Sequence, residues 1–170
     1  NTLGDAEPFY GGEIALARWF EGFAMYSGAS RIRSDTHASF NLLGDLDLRI
    51  LVSNVTVPAT GKTLELMSSQ DKWSLSVNDA GFLVLSWENA GTNTITSDAS
   101  PDWGSTDKGP YWLRVTLDLN NDAGGHDVTF YQSPTLYEDS WPQVGTTITT
   151  GGVSGIDSAA AANIEIFNNG

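Results

Sequence analysis

The stretch that decides the fold is YWLRVTLDLNNDAGGHDVTFYQS, residues 111–133. Apolar and polar residues alternate in its first half, so Leu113, Val115 and Leu117 point to one side of an extended chain. The alternation resumes in HDVTFYQ. Between the halves lies NNDAGG, residues 120–125, and Asn and Gly reach the positive φ of tight turns at the least cost. The stretch therefore predicts a β-hairpin.

A calcium loop is the alternative interpretation of DLNNDAGG. Asp118, Asn120 and Asp122 match the first three ligand positions of an EF-hand loop. The position that requires glycine holds Ala123, however, and the final position, which requires glutamate, holds Thr129. The preceding stretch also has the period of a strand and not that of an entering helix. A turn is favoured, with a surface calcium site from the same oxygens as the alternative.

Alternation and turn signals predict further strands along the chain. The predicted strands are residues 12–20, 45–53, 63–68, 72–78 and 82–89. NDAG at 78–81 predicts a second hairpin. DSAAAANIEI is the only candidate helix, and its end, with Ile164 and Ile166, is better explained as a strand. Because two apolar sheet faces must cover each other, we expect a two-sheet antiparallel β-sandwich forming a single domain over 1–170.

Composition excludes several classes of function. Eight Lys and Arg against 21 Asp and Glu give a net charge of −13, which repels a polyanion, so nucleic acid is not an expected partner. The chain has no cysteine, and two distant histidines make a weak zinc site. No segment resembles a signal peptide or a membrane span, so membrane insertion is not expected and export would need something outside this chain. The start at Asn1 suggests a processed or excised chain.

The order of these pieces resembles a known family. LLGDLDLRILVS, KWSLSVNDAGFLVLSWENAG, WLRVTLDLNNDAGGHDVTFYQS and WPQVGTTITTGG are similar to concanavalin A-like, LamG-type jelly rolls, found in bacterial surface proteins and in tail or virion proteins of phages that infect actinobacteria. The resemblance covers residues 27–167. After the hairpin, the family often has a serine, an Asp-Gly pair and a tryptophan. Ser133 and Trp141 are present here, but the Asp-Gly pair is not. The resemblance implies a jelly roll in an extracellular or virion-associated protein.

The N-terminal segment resembles the family's closing strand. Family members usually continue beyond the equivalent of IEIFNNG into a strand that closes the sheet, and residues 8–23, PFYGGEIALARWFEGF, look like that strand. We therefore expect a circularly permuted chain in which residues 1–23 form the closing segment and Asn1 lies near Gly170. The alternatives are an ordinary N-terminal strand, or a strand exchanged with a neighbouring copy. The sequence does not show whether such a permutation is natural or engineered.

Catalysis has little support in the sequence. Glycosidases with this fold carry acids at alternate positions of one strand, and the nearest match is DLDLR, where Asp45 and Asp47 share a face. The third position is Arg49, whose guanidinium would keep the carboxylates ionised and unable to donate a proton. Asp47 and Arg49 are more simply a surface ion pair. No nucleophile elbow or phosphate-binding loop is present, so a glycoside hydrolase is only the second alternative.

Sugar binding has better candidates. Trp103 lies in SDASPDWGSTDKGPYW beside Asp102 and Asp107, and a loop tryptophan among oxygen acceptors suits a sugar-binding rim. Asp98, Asp102 and Asp107 also have the chemistry of a calcium site at a sheet edge. The alternatives are that Trp103 folds back to cap the sandwich and that the acidic loop is merely solvated.

Trp112 is the other candidate binding residue. It shares a strand face with Arg114 and Thr116, which is either an outer sheet surface or a concave groove. Trp19 and Trp73 lie inside predicted strands and are expected in the core. We therefore predict a non-catalytic surface recognition module whose leading partner is a cell-surface glycan or other carbohydrate. The first alternative is a structural virion or cell-surface protein, such as a tail or capsid decoration, that contacts other proteins.

Overall fold

The computed structural model describes residues 18–20, 23–25, 32–34, 36, 41–69, 72–103, 110–135, 141–158 and 162–168. These residues contain strands and no helix, as predicted for an all-β chain. The strands are β1 (Arg18–Phe20), β2 (Phe23–Met25), β3 (Ile32–Arg33), β4 (Leu46–Val52), β5 (Leu64–Ser69), β6 (Trp73–Val77), β7 (Leu83–Glu88), β8 (Thr92–Thr96), β9 (Tyr111–Asp118), β10 (Gly125–Ser133), β11 (Ile148–Gly151) and β12 (Glu165–Asn168).

Two antiparallel sheets make the sandwich. One has four strands in the order β11-β10-β9-β4, and the other has six in the order β3-β12-β5-β6-β7-β8. Every pair in both sheets is antiparallel. The predicted two-sheet antiparallel β-sandwich is confirmed.

Alternating burial explains why the two sheets pack together. In β4, Leu46, Leu48, Ile50 and Val52 are buried, while the residues between them are exposed or half-buried. β7 and β9 show the same alternation. The buried residues of both sheets join in one hydrophobic cluster that includes Trp73, as predicted. Each sheet therefore keeps an outer face of polar and half-buried side chains.

The predicted strands agree with the observed ones to within one residue from β4 to β7. Four of the described strands were not predicted: the very short β2 and β3, and β8 and β11. The last two share a position in the fold. Each ends the order of its sheet, and their side chains are only exposed or half-buried. Because such edge strands bury little, their sequences TNTIT and ITTG lack the strong apolar alternation by which the interior strands are identified.

Both predicted hairpins form, and both use the tetrapeptide NDAG. Asn78 Oδ1 accepts hydrogen bonds from the backbone N–H groups of Ala80 and Phe82, both at 3.0 Å. Asn121 Oδ1 accepts the corresponding bonds from Ala123, at 3.1 Å, and Gly125, at 3.0 Å. The asparagine side chain therefore stabilises the turn by accepting hydrogen bonds from the backbone of the turn itself. DLNNDAGG is confirmed as a turn, with the Asn121 side-chain oxygen occupied by backbone donors.

The predicted closing segment is only partly described. β1 pairs with β2 in a separate two-stranded sheet, with Trp19 opposite Ala24. The rest of residues 8–23, together with Asn1 and Gly170, lies outside the described residues, as does the burial of Trp19. The circular permutation therefore stays a prediction. The strand predicted at the end of DSAAAANIEI is confirmed, because Glu165 and Ile166 belong to β12, which lies between β3 and β5.

None of the described residues forms a helix with the length and hydropathy needed to cross a bilayer.

Candidate functional site

Two arginines and a tyrosine lie side by side across the outer face of the four-stranded sheet. The β4–β9 register places Arg49 opposite Arg114, and the β9–β10 register places Arg114 opposite Tyr131. Leu113 and Val115, which flank Arg114 in β9, are fully buried, so this row points away from the core. We call Arg49, Arg114 and Tyr131 the arginine row.

One carboxylate holds both guanidinium groups. Asp47 Oδ1 and Oδ2 accept from Nε and Nη2 of Arg49 at 3.0 and 2.7 Å. The same two oxygens accept from Nε and Nη2 of Arg114, both at 2.9 Å. Like charges directly opposite each other on a sheet destabilise it, and the shared carboxylate offsets that repulsion. The three side chains together carry a net charge of +1.

Aromatic rings pack on the same guanidinium groups. The Arg114 Cζ atom lies 5.0 Å from the ring centroid of Tyr131 and 6.0 Å from that of Trp141. The Arg49 Cζ atom lies 5.7 Å from the Trp141 centroid. These distances suit cation–π contacts. Trp141 is 9% exposed and lies outside the main hydrophobic cluster, and both arginines contact its ring.

The rows on either side of the arginine row differ in chemistry. Toward the β9–β10 turn, Asp47 lies opposite Thr116, and Thr116 lies opposite Thr129. On the other side, Leu51 lies opposite Trp112, and Trp112 lies opposite Ser133, so this row carries no charge. Trp112 is half-buried. Its place, which the sequence left open between two kinds of surface, is the outer face of the four-stranded sheet beside the arginines.

Asp47 is unsuited to acid catalysis. Its hydrogen bonds with Arg49, and then those with Arg114, lower the pKa of the carboxyl from 3.8 to about 2. A carboxyl that stays ionised to this pH cannot donate a proton near neutrality. The predicted ion pair with Arg49 is confirmed, and Asp45 accepts a hydrogen bond from the Leu119 N–H at 2.9 Å. The acids of DLDLR therefore have structural partners.

The structure places Trp103 against the end of the sandwich. Its indole N–H donates to the Gly81 carbonyl at 2.7 Å. The ring lies 6.1 Å from the Tyr111 ring and packs against the core. Of the two predicted roles, this geometry corresponds to the cap. The Tyr111 hydroxyl beneath it is buried, and burial together with the charge of Asp102 raises its pKa to about 12.

Of the predicted calcium ligands, Asp98 and Asp102 lie in the described part of the loop. Asp98 accepts from the backbone N–H of Thr146 at 2.8 Å and from its hydroxyl at 2.6 Å, and these bonds lower the pKa of Asp98. The backbone of Asp102 is held by the side-chain amide of Gln132 at 2.8 and 2.9 Å. Asp107 lies outside the described residues. Within the described ranges, no three acidic or histidine side chains group as metal ligands do.

Tyr131 and Trp141 were not predicted as site residues, and Arg114 was noted only as a neighbour of Trp112. The sequence did contain a signal for Arg114. Arg49 and Arg114 each occupy an outward position of a strand with clear apolar alternation, and Arg49 follows the outward Asp47 by two residues. Finding the site needed the register that sets Arg49 against Arg114. Trp141 lies outside the named strands, so strand alternation in the sequence does not indicate what it packs against.

Comparisons with known proteins place the chain in no family. No protein-family model and no curated protein sequence matches it, so the resemblance to LamG-type domains stays a prediction. Among solved structures, the CBM40 domain of the Ruminococcus gnavus IT-sialidase, bound to α2,6-sialyllactose, has a TM-score of 0.39 at 14% identity, over 78% of this chain and 80% of that chain.

The receptor-binding domain of botulinum neurotoxin type G has a TM-score of 0.35 at 9% identity, over 81% of this chain and 34% of that one. A second structure of the serotype G binding domain has a TM-score of 0.36 at 9% identity. This chain thus spans about a third of the toxin domain's length. With TM-scores this low, no property of these proteins is transferred to this chain.

Proposed function

We propose that this domain is a non-catalytic recognition module that binds carbohydrate on the outer face of its four-stranded sheet. The observation that carries the proposal is the convergence of two arginines, one shared aspartate and aromatic side chains on that face. Sugars are bound by aromatic faces that contact their C–H groups and by polar groups that hydrogen-bond their hydroxyls. Trp112 and Tyr131 offer the first kind of group, and the arginines offer the second.

The hydrogen-bonding capacity of the arginine row is not exhausted. Asp47 takes the Nε and one Nη2 donor of each guanidinium, which leaves the remaining N–H donors of each group. The side chain of Arg49 is 41% exposed and that of Arg114 is 23% exposed. Because Asp47 and the rings fix both guanidinium groups, little side-chain entropy is lost when a ligand binds.

The competing function is a structural module of a virion or cell surface that contacts other proteins. The observation that favours it is the edge strand β8, whose sequence TNTIT has none of the charges or prolines by which exposed edges usually avoid pairing. Both proposals assign an extracellular or virion-associated location. They differ in whether a sugar binds to the opposite sheet.

Calorimetric titration of the whole domain against bacterial cell-wall and storage glycans tests the proposal. Trp112→Ala should weaken binding about tenfold or more, because the aromatic platform is lost. Trp103→Phe keeps a ring at the predicted loop site and should leave the affinity unchanged. Repeating the titrations with calcium and then with chelator tests whether the loop aspartates contribute.

Loss of binding with Trp103→Phe but not with Trp112→Ala would move the site to the loop of residues 98–103. Absence of binding heat across the whole panel would overturn the carbohydrate proposal in favour of the structural module.

A further inference from the structure

The charge of the outer face indicates which sugars it selects. Asp47 neutralises one of the two guanidinium groups, so Arg49 and Arg114 retain one unit of positive charge. The chain as a whole carries −13. The two arginines thus form a partly exposed cationic centre on a strongly acidic protein. Such a centre has the chemistry of an anion site.

The geometry leaves one edge of each guanidinium for a second carboxylate. Asp47 occupies the edge formed by Nε and Nη2 in both arginines. None of the described residues accepts a hydrogen bond from the edge formed by Nη1 and Nη2. This edge presents two parallel donors of the kind that pair with a carboxylate.

The neighbouring rows determine the side from which the anion approaches. On the side of the β9–β10 turn, the arginine row is followed by Asp47 and, further along the strands, by Asp118 and Asp127. These carboxylates repel an anion. On the other side lies the uncharged row with Trp112 and Ser133. An anionic group at the arginines would therefore place the rest of its sugar over Trp112.

We propose that the ligand of this face is a carboxylated sugar, whose carboxylate binds the free edges of Arg49 and Arg114 while its ring stacks on Trp112. This proposal rests on the proposed function and names its ligand class. A single carboxylate matches the residual charge of +1, whereas the net charge of −13 opposes a densely charged polyanion. The favoured ligand carries isolated or terminal acidic sugars.

The test uses methyl glucuronide, its neutral methyl ester and the matched glucoside and sulfated glucoside as probes, titrated into the whole domain and followed by NMR chemical shifts. The glucuronide should bind, and esterification should weaken binding about tenfold or more because a charge-assisted pair is lost. Arg114→Lys, which keeps the charge but lacks the planar fork, should lose a similar factor. Lys62→Gln removes the same charge from an exposed loop and should change nothing.

Shift changes are expected at Trp112 and at the arginine side chains. Equal or tighter binding of the ester or the glucoside would overturn the carboxylate proposal while supporting carbohydrate binding. Tighter binding of the sulfated glucoside would overturn the choice of carboxylate. If none of the probes and no glycan of the panel binds, the proposed function itself fails.

Discussion

At the scale of single residues, the structure depends on groups that serve two partners at once. Asp47 is the main example. A surface ion pair is usually weak because two mobile side chains must be ordered for one contact. Here one carboxylate accepts four hydrogen bonds from two guanidinium groups that aromatic rings already restrain. The contribution of Asp47 therefore comes from organising the outer face more than from attraction between isolated charges.

Acid should remove this contribution within a defined range of pH. The pKa of Asp47 falls from 3.8 to about 2 on folding. A lowered pKa stabilises the folded protein above the unfolded value, and that stabilisation is lost as the pH falls from 3.8 toward 2. We expect the Asp47→Asn variant to show a flatter loss of unfolding free energy over this range. Because the side chain is 40% exposed, the difference should be about 1 kcal/mol or less.

Denaturant unfolding at a series of pH values measures this difference, and NMR titration of the carboxyl carbon measures the pKa itself. Asp122→Asn, which removes an exposed carboxylate outside the cluster, is the control. A titration midpoint near 3.8 would contradict the arrangement of Asp47 between the two arginines.

Gly145 is a second residue on which the structure depends, because its backbone conformation and its surroundings require glycine. Its φ is +73°, and a Cβ added there would overlap Asp98 Oδ1 and lie 2.9 Å from Asp98 Cγ. Asp98 cannot simply rotate away, because it accepts two hydrogen bonds from Thr146. We expect Gly145→Ala to lower the free energy of unfolding by about 1–3 kcal/mol.

Thermal or denaturant unfolding measures the effect of Gly145→Ala. Gly151→Ala is the matched control, since nothing lies within 4 Å of its added Cβ. Equal stability of the two variants would show that the contact between Asp98 and Thr146 does not constrain the backbone at Gly145.

At the scale of elements, the hairpins show how a local sequence determines a turn. NDAG occurs twice, and in both copies the backbone N–H of the asparagine also bonds the carbonyl four residues later, Phe82 or Gly125, at 3.0 Å. The glycines of the two copies have φ of +83° and +78°. The rest of the backbone differs between the two turns. Asp122 adopts a positive φ of 58° and Asp79 does not, and the Gly81 N–H donates to the Asn78 carbonyl at 3.0 Å. The tetrapeptide thus determines the hydrogen bonds of the asparagine, while the remaining backbone of the turn varies between the two copies.

The asparagine side chain should account for much of the stability of the β9–β10 turn. Asn121 accepts two backbone hydrogen bonds and donates one to Asp127 at 2.9 Å. We expect Asn121→Ala to cost about 1–2 kcal/mol and to speed amide exchange at Ala123 and Gly125. Asn120→Ala is the control. The side chain of Asn120 is exposed, so this substitution should change stability and amide exchange little.

Hydrogen exchange followed by NMR distinguishes a local effect from a global one. Unchanged protection at both amides in Asn121→Ala would mean that backbone pairing alone maintains the turn.

The same scale explains what the sequence could and could not predict. β4, β6 and β7 were predicted because the period-2 alternation that buries Leu48, Leu75 or Leu85 is visible in a single segment. The pair of Asp47 and Arg49 was predicted because both residues lie on one strand. Arg114 and Tyr131 join that pair through the register between strands, and no local pattern contains it. Trp141 belongs to none of the named strands, so no alternation in the sequence points to its contact with the arginines.

At the scale of the whole molecule, the distribution of charge separates the surface into regions. The chain carries −13, yet the outer face of the four-stranded sheet has its arginines beside an uncharged row with Trp112. The general acidity opposes association with polyanions, and the local arginines favour a single anionic group. Such a combination selects against nonspecific binding while retaining one specific contact.

The position of β12 in the six-stranded sheet determines when that sheet can form completely during synthesis. This strand follows every other described strand in the sequence, yet it lies inside the six-stranded sheet between β3 and β5. While a ribosome is still making the chain, β5 has no neighbour on that side and its backbone groups remain open. Closing such a distant contact is slow compared with forming a hairpin. The six-stranded sheet is therefore completed only after residues 165–168 have left the ribosome. Until then, the unpaired edge of β5 can pair with strands of other chains, and the arrival of β12 removes that risk of aggregation.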